Sequence, residues 1–249
     1  MKELADHGHL TVGDASLEYR MIGPRPGAAP TIVMLHEGLG SVTTWGDFPQ
    51  KVAEHTGAGV FVYSRAGYGR SSTIALPRPL DYMQREATEV LPRLLDAIGF
   101  RRGILFGHSD GATIAAWYGG SVQDHRVRGL ILMAPHFFME SSNVEAIQKT
   151  VASYETTDLR AKLARHHADV DTAFRGWSGA WLDPGFNRVL QATGRVIRTE
   201  ADRGSIVLID ERFTQVRYRQ LFPAHWRGFQ VIQSTGEIKN KLERFWSRK

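Results

Sequence analysis

The 249-residue sequence contains no cysteine. That excludes disulfides, thiolate metal sites, iron–sulfur clusters and cysteine nucleophiles together. It has no G-x-x-x-x-G-K-[ST] segment and not even a Gly-Lys pair, which removes the P-loop route to nucleotide phosphates. No apolar run approaches the roughly 18 residues of a membrane span. The start, Met1-Lys-Glu-Leu-Ala-Asp, lacks the apolar stretch of roughly 7 to 15 residues that marks a secretory leader. A soluble, cytoplasmic protein without a membrane partner is expected. The pairs in Arg165-His-His-Ala-Asp169 and Asp169-Val-Asp171 do not match ligand spacing on one helical face. They read as polar surface, so no metal or other cofactor is expected.

The apolar share, 42%, suffices for a sizeable core. The net charge of +5 is unevenly spread. From Phe186 to Lys249 there are 13 Lys and Arg against 6 Asp and Glu, leaving −2 for residues 1 to 185. The basic character belongs to the tail, and the break marks a boundary near Asp183-Pro-Gly-Phe, dividing the chain into 1–184 and 185–249.

Leu10 to Ile22 reads as two alternating strands around a Gly-Asp turn, an antiparallel opening. Thr31-Ile-Val-Met-Leu35 is a continuous apolar run, the pattern of a strand covered on both faces, and it ends in His36-Glu-Gly-Leu-Gly40. A helix from Trp45 to His55 and a buried strand Gly59-Val-Phe-Val-Tyr-Ser64 follow. Residues 81 to 98 carry Met83, Ala87, Val90, Leu91, Leu94, Leu95 and Ile98 at helical spacing, with a kink expected at Pro92. A strand at 103–107, a helix at 110–119 and a strand at Gly129-Leu-Ile-Leu-Met-Ala134 complete the alternation that signals a parallel sheet. From His136 to Asp183 the pattern turns to helices only, with Phe137, Phe138, Tyr154, Phe174, Trp177 and Trp181 among them. An aromatic-rich helical insertion suits a lid over an apolar pocket; for most of these rings, packing within the insertion is the favoured reading.

The chemistry is placed at Gly103-Ile-Leu-Phe-Gly107-His108-Ser109-Asp110-Gly111-Ala112, where a buried strand runs into a G-x-S-x-G turn and a helix. Such a turn holds its serine in a strained conformation at the mouth of a sheet, with glycines where side chains would collide. Ser109 is the candidate nucleophile. Asp110 begins the helix, where a carboxylate is favoured without catalytic duty.

His36-Glu-Gly-Leu-Gly40, Ser64-Arg-Ala-Gly-Tyr-Gly-Arg-Ser71, Gly107-His-Ser-Asp-Gly111 and Val127-Arg-Gly-Leu-Ile-Leu-Met-Ala-Pro135 together resemble the α/β-hydrolase fold superfamily over about residues 10 to 184. The resemblance implies a mostly parallel α/β sheet with a helical lid at about 136–183. It also implies an oxyanion hole made by the backbone N–H groups of Glu37 and Asp110, the side chain at 37 being incidental. The family's triad continues with an acid and then a histidine on later loops. The nominal match is Asp210, after Ser205-Ile-Val-Leu-Ile, followed by His225, although His225 precedes the apolar run Gly228-Phe-Gln-Val-Ile232 instead of following it. His36 and His108 are weaker candidates for the base, since neighbours of such loops serve packing or turn geometry. The expected fold is therefore an α/β-hydrolase-like sheet incomplete at its C-terminal strands, plus a small basic α/β tail.

The segment from Pro184 through Gln191-Ala-Thr-Gly194-Arg195-Val-Ile-Arg198 to Phe213, with Leu221 to Trp226 and Phe245-Trp246, resembles the C-terminal end of superfamily 2 DNA helicases of the DinG and XPD kind. That resemblance implies phosphate contacts for Gln191, Arg195 and Arg198. The missing P-loop excludes ATPase or helicase activity for this chain alone. The tail contributes strand candidates at 205–210 and 228–232 and a helix candidate at 235–247, and it could dock on the sheet as a substitute for the lost strands. Two functions stay open. One is a serine hydrolase of a small acyl, ester-like substrate, impaired if the acid and histidine are lost. The other is a non-catalytic fusion or mis-assembled chain whose basic tail binds nucleic acid or phosphates.

Overall fold

The computed structural model describes residues 4–137, 141–183, 205–220, 222 and 228–247. The chain divides into two compact units, Met1–Ile209 and Asp210–Lys249. The division falls later than the composition break near Asp183, because the segment that follows the break supplies a strand to the first unit.

In the first unit, β1 (His7–Val12) and β2 (Ala15–Ile22) form the expected antiparallel opening. β3 (Thr31–Leu35), β4 (Gly59–Tyr63), β5 (Gly103–His108), β6 (Val127–Met133) and β7 (Ser205–Ile209) follow. They form one sheet in the order β1-β2-β4-β3-β5-β6-β7, parallel from β4 onward. Every residue of β3 and β4 is buried, as their unbroken apolar runs require of strands covered on both faces. β7 pairs with β6 from Gly129↔Ser205 to Met133↔Ile209. The expected loss of C-terminal strands is thus made good by one strand from beyond the break. The second expected strand, 228–232, does not form. Phe229 stands edge-on to Phe222 at 5.3 Å with the Arg219 guanidinium 5.4 Å from its ring centre, and these contacts take the place of a ladder.

Helices cover both faces. Ile32, Met34, Val60, Val62 and Phe106 pack with Val42, Trp45 and Val52, the last from α1 (Phe48–Thr56). The other face is covered by α4 (Asp110–Ser121), buried along most of its length and rich in Ala and Gly, so its backbone lies close to the sheet. Beside it the helical stretch at 82–97 is divided into α2 (Tyr82–Arg85), a π turn (Glu86–Val90) and α3 (Leu91–Ala97). Pro92 lacks the N–H that would bond one turn back and its ring would strike that carbonyl; the wider turn ahead of it relieves both problems. In doing so it buries Glu86, which accepts from the Tyr63 hydroxyl at 2.8 Å.

The insertion after β6 forms α5 (Ser141–Thr156), α6 (Leu159–Leu163) and α7 (Val170–Leu182). Tyr154 and Phe174 stack at 3.7 Å within a cluster that includes Val170, Val151, Leu159, Leu163, Trp177 and Leu39, the last from the loop after β3. Most of the described aromatics do pack the insertion's own core. A polar latch adds to this. His167 Nδ1 accepts from the Gly69 N–H at 3.0 Å, so the ring proton sits on Nε2, which donates to the Leu39 carbonyl at 2.9 Å; the Ala168 N–H donates to Gly69 O at 2.8 Å. In the second unit, a 3₁₀ turn (Glu211–Thr214) precedes α8 (Val216–Arg219) and α9 (Thr235–Ser247), the last as the sequence predicts. No described helix is long and apolar enough to cross a membrane.

The latch is expected to fail in acid. Burial holds His167 below the ordinary histidine value, outweighing the Leu39 hydrogen bond and the charges of Glu37 and Glu18, with His166 adding to the depression. The neutral ring's contribution is whole above about pH 6.5 and is lost as pH falls toward the lower folded value, because the unfolded chain then binds the extra proton. Urea unfolding between pH 7 and 5 should therefore show a steeper stability loss for the natural protein than for His167→Gln, by at most about 1.4 kcal/mol per pH unit. Parallel profiles would refute the latch.

Candidate active site

β5 delivers the chain to Ser109, which has φ 53° and ψ −116° and leads directly into α4. A left-handed conformation costs a non-glycine residue on the order of 1–2 kcal/mol, so the surroundings must impose it. A Cβ at Gly107 would stand 2.3 Å from the Gly111 carbonyl oxygen and 2.4 Å from Ala112 Cα, and one at Gly111 would stand 2.1 Å from Leu35 O. The two glycines let helix and strands approach until only this turn fits. The Ser109 N–H donates to Met133 O at 2.8 Å, and its carbonyl accepts from the N–H groups of Ala112 and Thr113.

The Ser109 hydroxyl lies 3.1 Å from His136 Nε2. His136 follows β6 by a turn in which Ala134 has φ 49° and donates its N–H to Ile209 O at 3.0 Å. The buried Thr113 of α4 fixes the histidine backbone from both sides: its hydroxyl accepts from His136 N–H at 3.0 Å and donates to His136 O at 3.1 Å. Trp181 of α7 meets the imidazole edge-on, with ring centres 4.9 Å apart. The sequence reading passed over His136. The signal available was its place immediately past a parallel strand, at the carboxyl edge where α/β sheets gather their ligands.

The loop after β3 lies on the neighbouring strand. His36 is fully buried and neutral in its hydrogen bonding: Nδ1 donates to Glu37 O at 2.7 Å and Nε2 accepts from the Arg65 N–H at 3.1 Å. Burial, and then the Arg65 charge, hold it well below the usual histidine range. It serves the loop's geometry, as the sequence suggested. The Glu37 carboxylate stands 3.7 Å from His108 Nδ1. Burial raises its proton affinity, but His108 and Arg65 outweigh this and leave it below the ordinary value. The Trp177 indole nitrogen lies so near Gly38 that a Cβ there would be 2.2 Å from it. One turn of α7 therefore touches the β3 loop through Trp177 and His136 through Trp181.

Asp110 is buried, and its carboxylate accepts from the Tyr82 hydroxyl at 2.5 Å instead of capping the helix. Burial, and then Asp110, push the Tyr82 hydroxyl well above the usual tyrosine range, which keeps it a donor. Arg65, 1% exposed, donates to His36 O at 2.6 Å and Glu37 O at 3.1 Å and stands 4.0 Å from Asp110 Oδ2.

Of the residues expected from sequence, Ser109, Asp110 and Glu37 belong to this one corner of the first unit. Asp210 begins the second unit, where its carboxylate accepts from the Arg212 backbone and guanidinium. His225, Gln191, Arg195 and Arg198 lie outside the described residues. Among the described residues no cluster of His, Asp or Glu could hold a metal ion.

Solved structures share this architecture. A carboxylesterase of Nitrososphaera gargenis superposes with a TM-score of 0.61 at 17% identity, covering 96% of this chain and 98% of that one. The haloalkane dehalogenase DbeA of Bradyrhizobium elkani gives 0.62 at 16% identity, covering 87% and 86%. The enol-lactonase of Burkholderia xenovorans gives 0.55 at 14% identity, covering 97% and 100%. At these identities the likeness is one of fold. No curated protein matches the sequence significantly. The sequence model described as alpha/beta hydrolase fold matches residues 30–229, continuing across most of the stretch that resembles helicase ends. The chain thus belongs to the α/β hydrolase fold family.

Proposed function

We propose that the protein is a serine hydrolase of a small acyl, ester-like substrate. Ser109 is the nucleophile, His136 the proton acceptor, and the backbone N–H groups of Glu37 and Asp110 receive the oxyanion. The observation that carries this is the 3.1 Å approach of His136 Nε2 to the Ser109 hydroxyl at a turn held at positive φ. It lies within the 2.6–3.2 Å that a general base needs. In this reading His136 takes the place of the Asp210 and His225 pair suggested by chain order.

The Ser109 hydroxyl proton passes to His136 Nε2 as Oγ bonds to the substrate carbonyl carbon. The resulting oxyanion is held by two amides of the kind worth roughly 2.7–4 kcal/mol each. The imidazolium returns the proton to the departing alkoxide as the carbon–oxygen bond breaks, leaving acyl-Ser109. Water then attacks the acyl carbon, giving its proton to His136, which passes it to Ser109 Oγ as the acyl–oxygen bond breaks and the acid leaves. A serine also selects among the reactions that the structural neighbours are named for. Attack by Ser109 on an alkyl halide or an epoxide would leave an ether, which water does not cleave, whereas an acyl ester turns over.

A fluorophosphonate probe should label the folded protein at Ser109, with labelling lost in Ser109→Ala; native protein that stays unlabelled at 109 defeats the proposal. His136→Gln keeps the contact with Trp181 while removing the base. It should lower kcat on short-chain nitrophenyl esters by about 10²–10⁴-fold with little change in KM. An undiminished rate would return the role of base to another residue.

A further inference from the structure

The buried cation of the site has no part in proton transfer, yet it occupies the place from which both proposed oxyanion donors can be controlled. We propose that Arg65 is a positioning residue that aligns and polarises the peptide between His36 and Glu37, strengthening the Glu37 N–H as an oxyanion donor. The inference rests on the reading of that N–H given above.

The peptide unit between residues 36 and 37 is trans, so its C=O and N–H point in opposite directions from one rigid plane. The C=O belongs to His36 and the N–H to Glu37. Arg65 Nη1 donates to that carbonyl at 2.6 Å. A charge-assisted bond of this length fixes the plane, directs the N–H away from the guanidinium, and draws electron density toward the oxygen, leaving the N–H more positive. The next carbonyl, Glu37 O, is held at three points: by Arg65 Nη2 at 3.1 Å, His36 Nδ1 at 2.7 Å and the Gly40 N–H at 3.1 Å. The loop cannot rotate the 36–37 plane without breaking several of these bonds.

The same guanidinium faces Asp110, whose Oδ2 is 4.0 Å away and fixed by Tyr82. One cation therefore braces the peptide that carries the first donor and the residue that carries the second. Its stacking on Tyr68, 5.1 Å from the ring centre, completes its surroundings. Holding a loop does not by itself call for this arrangement. Burying a guanidinium costs several kcal/mol, and apolar packing of similar volume is often as stabilising. What apolar packing does not provide is a fixed positive charge on the far side of a donor peptide.

The test uses the full chain with selective ¹⁵N-glutamate labelling, comparing the natural protein with Arg65→Lys and Arg65→Met. The Glu37 amide proton should move upfield in Arg65→Met and by a smaller amount in Arg65→Lys, where a charge remains but the two-pronged contact does not. On esters, kcat should fall about 10- to 100-fold in Arg65→Met with KM nearly unchanged, a smaller loss than removing a donor outright. Affinity for a boronate analogue of the tetrahedral intermediate should fall by the same factor. A folded Arg65→Lys whose Glu37 amide is unmoved overturns the proposal, as does a kcat loss without loss of boronate affinity. If the natural protein neither labels at Ser109 nor cleaves esters, the serine hydrolase reading fails, while the amide shift still decides whether Arg65 polarises the peptide.

Discussion

The structure depends on how closely α4 approaches the ends of β3 and β5. At Gly111 the distance leaves no room for a methyl group before the Leu35 carbonyl, and at Gly107 none before α4 itself. That crowding is what makes a left-handed serine the best available path from strand to helix. The strain at Ser109 is small beside the burial of α4, whose Ile114, Ala115 and Ala116 are fully enclosed, so the helix dictates the turn.

Around that turn the molecule buries more polarity than its core needs. His36, Arg65, Asp110, Glu86 and Thr113 are all buried, and each has a named partner. Burial raises Glu86 above the ordinary carboxylate range, with Tyr63 donating to it. The arrangement avoids an isolated buried charge, which would cost far more than the hydrogen bonds return. The result is a loop after β3 whose peptide planes are fixed by several hydrogen bonds at once.

Much of this was legible in the sequence. The unbroken apolar runs at 31–35 and 59–63 announced doubly covered parallel strands, and the glycines flanking Ser109 announced the turn. Pro92 announced an interrupted helix, though not that the interruption would be a π turn burying Glu86. The place of His136 just past a strand was legible, but its approach to Ser109 was not, because that depends on a positive-φ turn at Ala134, on Thr113 gripping its backbone, and on Trp181 contributed from α7. None of these leaves a periodic trace. The 205–209 strand was visible as a run, but its pairing with β6 rests on a contact across the sheet. The 228–232 run shows the converse, since its apolar residues form no strand and Phe229 makes ring contacts instead.

Trp177 and Trp181 lie four residues apart on α7, about 6 Å along its axis. One rests on the backbone of Gly38 and the other on the imidazole of His136. A displacement of that helix would therefore disturb, in one movement, the packing against the loop after β3 and the ring that meets His136. Two separate parts of the corner, one on β3 and one past β6, are thereby geared to a single rod.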